Sequence, residues 1–439
     1  MAQAAATQTG DRAIPRDPAF DSSLALFVEG NTFIQQRCRR LQSDIFETRL
    51  LLQRTICMLG EDAARLFYDS DKFQRHGAMP RRVQKTLLGV GGVQALDGAQ
   101  HAQRKHMFVE ALMSQPRMDA LLEATAVVWR TAYAEWQGRL QVVLFAEAQE
   151  ILCRAVCAWA GVPLPQSDVR RRTNDMAAMI DSAGRLGPGY WRGLRARSHS
   201  EHWACRLIEE TRIGRLQPGR ETALYAVATQ QDPAGDLLTT RIAAVELLNI
   251  LRPTVAIARF VTFGALALHE HPECRRRIAG DDAYLEYFVQ EVRRYYPFFP
   301  FLSARVRHDF HWHGYRFPAG RRVMLDLYGT NHDPRIWQMP EAFRPDRYAE
   351  RETGAFSHIP QGGGDYRLGH RCPGEWITIA LMKQALRLLA VEIEYEVPAQ
   401  DLSVDLARMP TLPASGFVIT DVKAILPWHS FHHISDSGT

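Results

Sequence analysis

Residues 361–375 read QGGGDYRLGHRCPGE, a cysteine behind four glycines and between basic residues, ahead of an apolar run. Glycine lets a backbone take positive φ and approach a bulky planar group closely. Cys372 then falls at the entrance to a helix expected over about 373–391, with Pro373 as a favoured first-turn residue. Free amides and the helix dipole at such an entrance are expected to lower a thiol's pKa. A thiolate held by a tight loop is what axial ligation of haem iron requires, and the neighbouring His370 and Arg371 suit haem propionates. Taken alone, the segment reads equally well as a glycine-rich turn carrying an incidental buried cysteine.

Working outward, EVRRYYP places Glu291 and Arg294 at helical i, i+3 spacing, and PEAFRPDRY (340–348) supplies Arg347. On its own a Glu–Arg pair at that spacing is an ordinary surface pair. The order of the three segments carries more. E-x-x-R, then P-E-x-F-x-P-x-R, then H-x-C-x-G resembles the cytochrome P450 family of haem-thiolate oxygenases, and the likeness runs from about residue 20 to 425. The resemblance implies that Cys372 is the proximal ligand of haem b (iron protoporphyrin IX). It also implies that Glu291, Arg294 and Arg347 form a buried network on the same side. Asp365 stands where the family usually has Phe, Gly369 displaces the usual glycine, and the loop is longer than usual.

The composition agrees with one large globular unit. The chain has 439 residues, 46% of them hydrophobic, with 53 Lys+Arg against 49 Asp+Glu. Lysine occurs only at 72, 85, 105, 383 and 423, and acidic residues interleave with the arginines. The arginine excess therefore reads as surface charge, and no nucleic-acid partner is expected. The N-terminus lacks an apolar leader core, and no long charge-free apolar run suggests a transmembrane segment. Seven cysteines without framework spacing point to reduced thiols and a cytoplasmic location. Cys153 and Cys157, one helical turn apart, read as a buried apolar pair.

Periodicity predicts a mainly α fold with a small β region. Residues 45–59 read as a strand or hairpin and 60–69 as a short helix. Residues 98–296 are mostly helical, 302–330 strand-like, and short strands close the chain. The expected division is a disordered 1–15, a single haem-thiolate P450 domain over 16–428 and a flexible tail at 429–439.

VELLNILRPTVAIARFVTF (245–263) is apolar almost all round, as a buried helix is. Pro253 removes an N–H and clashes with the Asn249 carbonyl, at about 3 kcal/mol in a helix interior. Arg252 brings a permanent charge into apolar surroundings. One reading ends a helix at Leu251 and starts another at Pro253. The other is a kinked helix presenting a guanidinium to a pocket, where its fork suits a carboxylate.

Conventional family members carry an acid followed by Thr here; this chain has Arg252 and Pro253, with Thr254 next. That replacement resembles the hydrogen-peroxide-dependent fatty-acid peroxygenase branch of the family. The resemblance implies a long-chain fatty acid and hydrogen peroxide as reactants, with no redox-partner protein. The substrate carboxylate, held by Arg252, would then act as general acid and base, giving 2- or 3-hydroxy acids. The segment 73–108 resembles the same branch. It implies propionate contacts from Arg75, His101, Lys105 and Arg371, with Gln94 near the iron and Leu87, Leu88 and Phe299 along the alkyl chain. Decarboxylating relatives tend to carry His in place of Gln94, and Gln does not ionise, which favours hydroxylation. Still open are decarboxylation to a terminal alkene, a reductase-fed monooxygenase, and a haem-binding sensor without turnover.

Overall fold

The computed structural model describes residues 12–425. Residues 1–11 and 426–439, which hold most of both expected flexible ends, lie outside the described residues. A single unit over 16–428 remains our proposal. Among the described residues, helices dominate from Gly98 to Tyr295, and three small sheets accompany them.

The hairpin reading of 45–59 holds. Ile45–Leu50 and Gln53–Met58 pair antiparallel with Leu50 opposite Gln53. A two-residue loop of this kind needs positive φ at both positions, and two leucines supply it, Leu51 at 54° and Leu52 at 61°. Their amides donate to Ser23 Oγ and Asp21 Oδ2, both at 2.7 Å. The hairpin continues into a five-stranded sheet through parallel pairing with Arg322–Asp326, which pairs antiparallel with Phe301–Val306. Cys153 and Cys157 are both fully buried, as expected.

The long apolar helix runs through Arg252 and Pro253 and ends at Ala256. Regular structure resumes at Ala258–Glu270. Between them the Ile257 amide donates to Thr254 O, three residues back instead of four. The reading in which a helix stops at Leu251 is therefore replaced by one helix that carries the proline and adjusts a turn later. Residues 240–270 are long and apolar enough to cross a membrane by composition, but 94% of that window is buried inside the protein.

Part of the arginine content is not surface charge. Arg37, Arg75, Arg172, Arg197, Arg252, Arg259, Arg293, Arg294, Arg322 and Arg347 are all buried. A guanidinium tolerates this because its five donors can be shared among carboxylates and main-chain carbonyls. Glu291 shows how. It is fully buried and accepts two bonds from Arg294, both 2.8 Å, and one of 3.2 Å from Arg347 Nε. Arg294 also donates to the carbonyls of Asn331 and Pro340 at 2.9 Å, and Arg347 to that of Gln338 at 2.7 Å. The network fastens the 338–347 loop to the helix Asp282–Tyr295.

Two stability predictions follow from these buried carboxyls. Glu291→Gln leaves two buried guanidiniums without their counter-charge, and denaturant unfolding should show a loss of about 3–5 kcal/mol. Asp326 is 1% exposed and caps the turn at Gly329 through a 2.8 Å bond, and burial pushes its pKa up to about 7. The unfolded chain gives up that proton near pH 4, so this contribution is full below about pH 4 and is lost as pH rises towards 7. Asp326→Asn keeps the acceptor, and its stability should fall less than the wild type's across that window.

Candidate active site

The cysteine loop is built as a rigid cradle. Gly362 and Gly364 adopt φ of 95° and 78°, and a Cβ on Gly362 would lie 2.7 Å from the Tyr68 hydroxyl. The Cys372 amide donates to Gln361 O at 3.3 Å, and Gln361 Nε2 lies 3.9 Å from Cys372 Sγ and 3.1 Å from Thr378 Oγ1. Arg293 reaches Gln361 Oε1 at 3.2 Å and also pairs with Glu375. The loop is thereby tied to the same helix that carries Glu291. Asp365 replaces the expected aromatic with turn chemistry: its Oδ1 accepts from the amides of Arg367 and Leu368, both at 2.7 Å.

Two details of the sequence reading need correction. The helix after the loop begins at Glu375, with Gly374 as its cap, so Pro373 lies outside it. The Cys372 thiol pKa is raised, not lowered, because burial outweighs the Gly374 amide and the charges of Lys105 and Arg293.

Basic side chains collect beside the loop. Arg75, His101 and Lys105 are 8%, 6% and 3% exposed. The His101 and His370 rings lie 3.9 Å apart, and Lys105 Nζ donates to the Arg371 carbonyl. Asp97 holds the Arg75 amide at 2.9 Å and lies 3.8 Å from His370. Burial pushes the His101 pKa down to about 4 and that of Lys105 down to about 8. Arg75 keeps a buried terminal nitrogen with no hydrogen-bond partner. Arg75 and Lys105 lie here with Asp97 beside a partly buried thiol, a set that would suit the two propionates of a haem whose iron Cys372 would ligate. The Arg371 side chain is turned elsewhere: its Nε donates to Glu375 Oε2 at 2.7 Å.

Arg252 is 4% exposed. Its terminal nitrogen donates to Asn249 Oδ1 at 3.2 Å, while its Nε has no partner. Among the described residues no carboxylate pairs with it. Burial, then the charge of Arg197, pushes its pKa down to about 9. The Thr254 hydroxyl is committed to the Ile250 carbonyl at 2.9 Å. Gln94 is half-buried, its Oε1 3.4 Å from Asn249 Nδ2. Leu87 and Ala256 form a small apolar cluster with Ile180, against which Leu88 and Phe299 pack. Ala256 is one turn beyond Arg252 on the same helix.

Sequence reading missed Asn249, Glu246 and Arg104, which join Arg252 and Gln94 in one polar network. Positions 246, 249 and 252 follow one another at i, i+3 spacing on one helix, and that spacing was the available signal.

The cytochrome P450 family model matches residues 282–419. A curated relative, cytochrome P450 71A8 of Mentha piperita, is 31% identical over 145 residues, 31% of this chain; the match spans 28% of that relative's length. Solved structures match far more of the chain. Cytochrome P450SP alpha (CYP152B1) is 48% identical with a TM-score of 0.90, over 92% of this chain and 99% of that one. Cytochrome P450EX alpha (CYP152N1), solved with myristic acid, is 45% identical with a TM-score of 0.91, over 94% and 100%. A variant of cytochrome P450 OleT, in complex with arachidonic acid, is 37% identical with a TM-score of 0.92, over 95% and 100%. With the buried Glu291 network, the cysteine cradle and these likenesses together, the chain belongs to the cytochrome P450 family of haem enzymes, in the branch represented by the CYP152 members.

Proposed function

We propose that the protein is a peroxygenase that uses hydrogen peroxide to hydroxylate long-chain fatty acids at the α or β carbon. The observation that carries this reading is Arg252, a buried guanidinium in an apolar helix with an unsatisfied Nε and no carboxylate partner among the described residues. A fatty-acid carboxylate would supply the missing counter-charge in bidentate geometry. The apolar cluster of Leu87, Leu88, Phe299 and Ala256 would take the first part of the chain. Two CYP152 relatives were solved with fatty acids, which supports this substrate class.

Haem b, with Cys372 as its proximal ligand and Arg75, His101, Lys105 and His370 around its propionates, would supply the peroxide-activating chemistry. The chain's own contribution is positioning. Arg252 fixes the carboxylate, and a carboxylate so held can take a proton from peroxide and return it. No acid–alcohol pair competes for that task, because Pro253 has no titratable group and the Thr254 hydroxyl is bonded to its own helix. Catalysis then waits for an acid substrate, and anchoring the head group brings the α and β carbons nearest the iron. Gln94 offers an amide that does not ionise, which favours hydroxylation over decarboxylation. The same reading needs no redox-partner protein and suits the cytoplasm, since all seven cysteines are free.

The test is to mix haem-loaded protein with palmitic acid and hydrogen peroxide, without reductase or nicotinamide, and to identify products by mass spectrometry. Hydroxy acid is expected, and turnover only after adding redox partners would replace this reading with a conventional monooxygenase. Arg252→Ala should keep haem and lose fatty-acid turnover by about a hundredfold or more, the cost of a charge-assisted bidentate contact. Cys372→Ala should abolish the thiolate-type absorption of the reduced carbonyl complex; an unchanged spectrum would mean another ligand.

A further inference from the structure

Glu246 is fully buried on the Arg252 helix, six residues before that arginine, with Asn249 midway between them. A buried carboxylate is costly unless paired, and burial does push its pKa up. Two partners offset that cost. Arg104, from the helix Gly98–Met113, donates to Oε1 at 2.7 Å, and Asn249 Nδ2 donates to Oε2 at 2.9 Å. The other end of the Asn249 amide, Oδ1, accepts from Arg252 at 3.2 Å. Arg104 also donates to the Gly91 carbonyl at 3.0 Å, which ties down the segment leading to Gln94.

This chain of bonds has one allowed polarity. A carboxylate only accepts and a guanidinium only donates, so the amide between them must turn its nitrogen to Glu246 and its oxygen to Arg252. With Oδ1 facing it, Arg252 is steered by a single terminal nitrogen, and its Nε remains free for a ligand. The Asn249 nitrogen meets Gln94 Oε1 at 3.4 Å, which orients the Gln94 amide and leaves its N–H group free to donate. Both distal side chains thus take their orientation from one amide, and that amide takes its own from Glu246.

We propose that Glu246, charge-paired with Arg104, is a positioning residue that sets the Arg252 guanidinium through Asn249 and thereby makes the site selective for carboxylates. This rests on the reading that Arg252 anchors the substrate acid. It goes beyond that reading by assigning the selectivity to residues that do not touch the substrate.

The experiment compares lauric acid with lauryl alcohol, which shares the chain and lacks the charge. Binding of each to the haem-loaded wild type, Glu246→Gln and Arg104→Gln is measured by calorimetry, with product positions read in parallel. The wild type should prefer the acid. Glu246→Gln should weaken acid binding roughly tenfold while leaving the alcohol unchanged, the scale of losing one hydrogen bond to a charged group. Arg104→Gln should move in the same direction, and hydroxylation should spread over more carbons in both variants. If both variants keep the wild-type preference, or lose acid and alcohol binding equally, the proposal is overturned and the pair is merely structural. If the wild type itself shows no preference for the acid, the anchoring reading falls, and this proposal with it. Should Glu246→Gln fail to fold, Arg104→Gln, at a partly exposed side chain, decides the question alone.

Discussion

A guanidinium buried in an apolar helix, without a carboxylate partner among the described residues, is the constraint on which this protein turns. Desolvating a permanent charge is expensive, and the helix that carries Arg252 is weakened again by Pro253, which cannot return a hydrogen bond to Asn249. The fold accommodates both. Surrounding helices bury nearly the whole segment, and the backbone shifts to a three-residue bond at Ile257. What packing leaves uncompensated is electrostatic, and in the function we propose a substrate acid would complement it. Stability is held back at the place where binding is required.

Three buried glutamates, each answered by arginine, keep the rest in register. Glu291 gathers Arg294 and Arg347 and holds the 338–347 loop. Glu375 takes Arg293 and Arg371 and holds the cysteine loop. Glu246 takes Arg104 on the distal side. Arg293 and Arg294, adjacent in sequence, serve two different glutamates, so one short helix positions both the loop that bears Cys372 and the segment that braces it. Buried ion pairs of this kind contribute less to net stability than to fixing a single arrangement, because their desolvation offsets much of their attraction.

The basic cluster beside the thiol follows a related logic. Burial pulls down the pKa values of His101 and Lys105 while Arg75 keeps an unpartnered nitrogen. In the function we propose, haem propionates would answer the charges of Arg75 and Lys105. The same burial raises the Cys372 thiol pKa, outweighing the Gly374 amide at the helix end.

Much of this was legible in the chain because it is local. Periodicity marked the hairpin at 45–58 and the misplaced Arg252–Pro253, the order of motifs marked the glycine–cysteine loop and the Glu291–Arg294 pair, and the family resemblance marked His101 and Lys105. Local patterns state which residue types share a turn or a face. They do not state which partner a long side chain selects. Only the tertiary structure turned Arg371 to Glu375, stacked His101 on His370, and sank ten arginines that composition assigned to the surface. It also joined Arg104 to Glu246, 142 positions away, through a bond of 2.7 Å. Sequence determined the chemistry by fixing where the charges and the thiol lie along the chain. Packing decided their pairing, because the energy of a buried charge depends on the few ångströms around it and not on its neighbours in sequence.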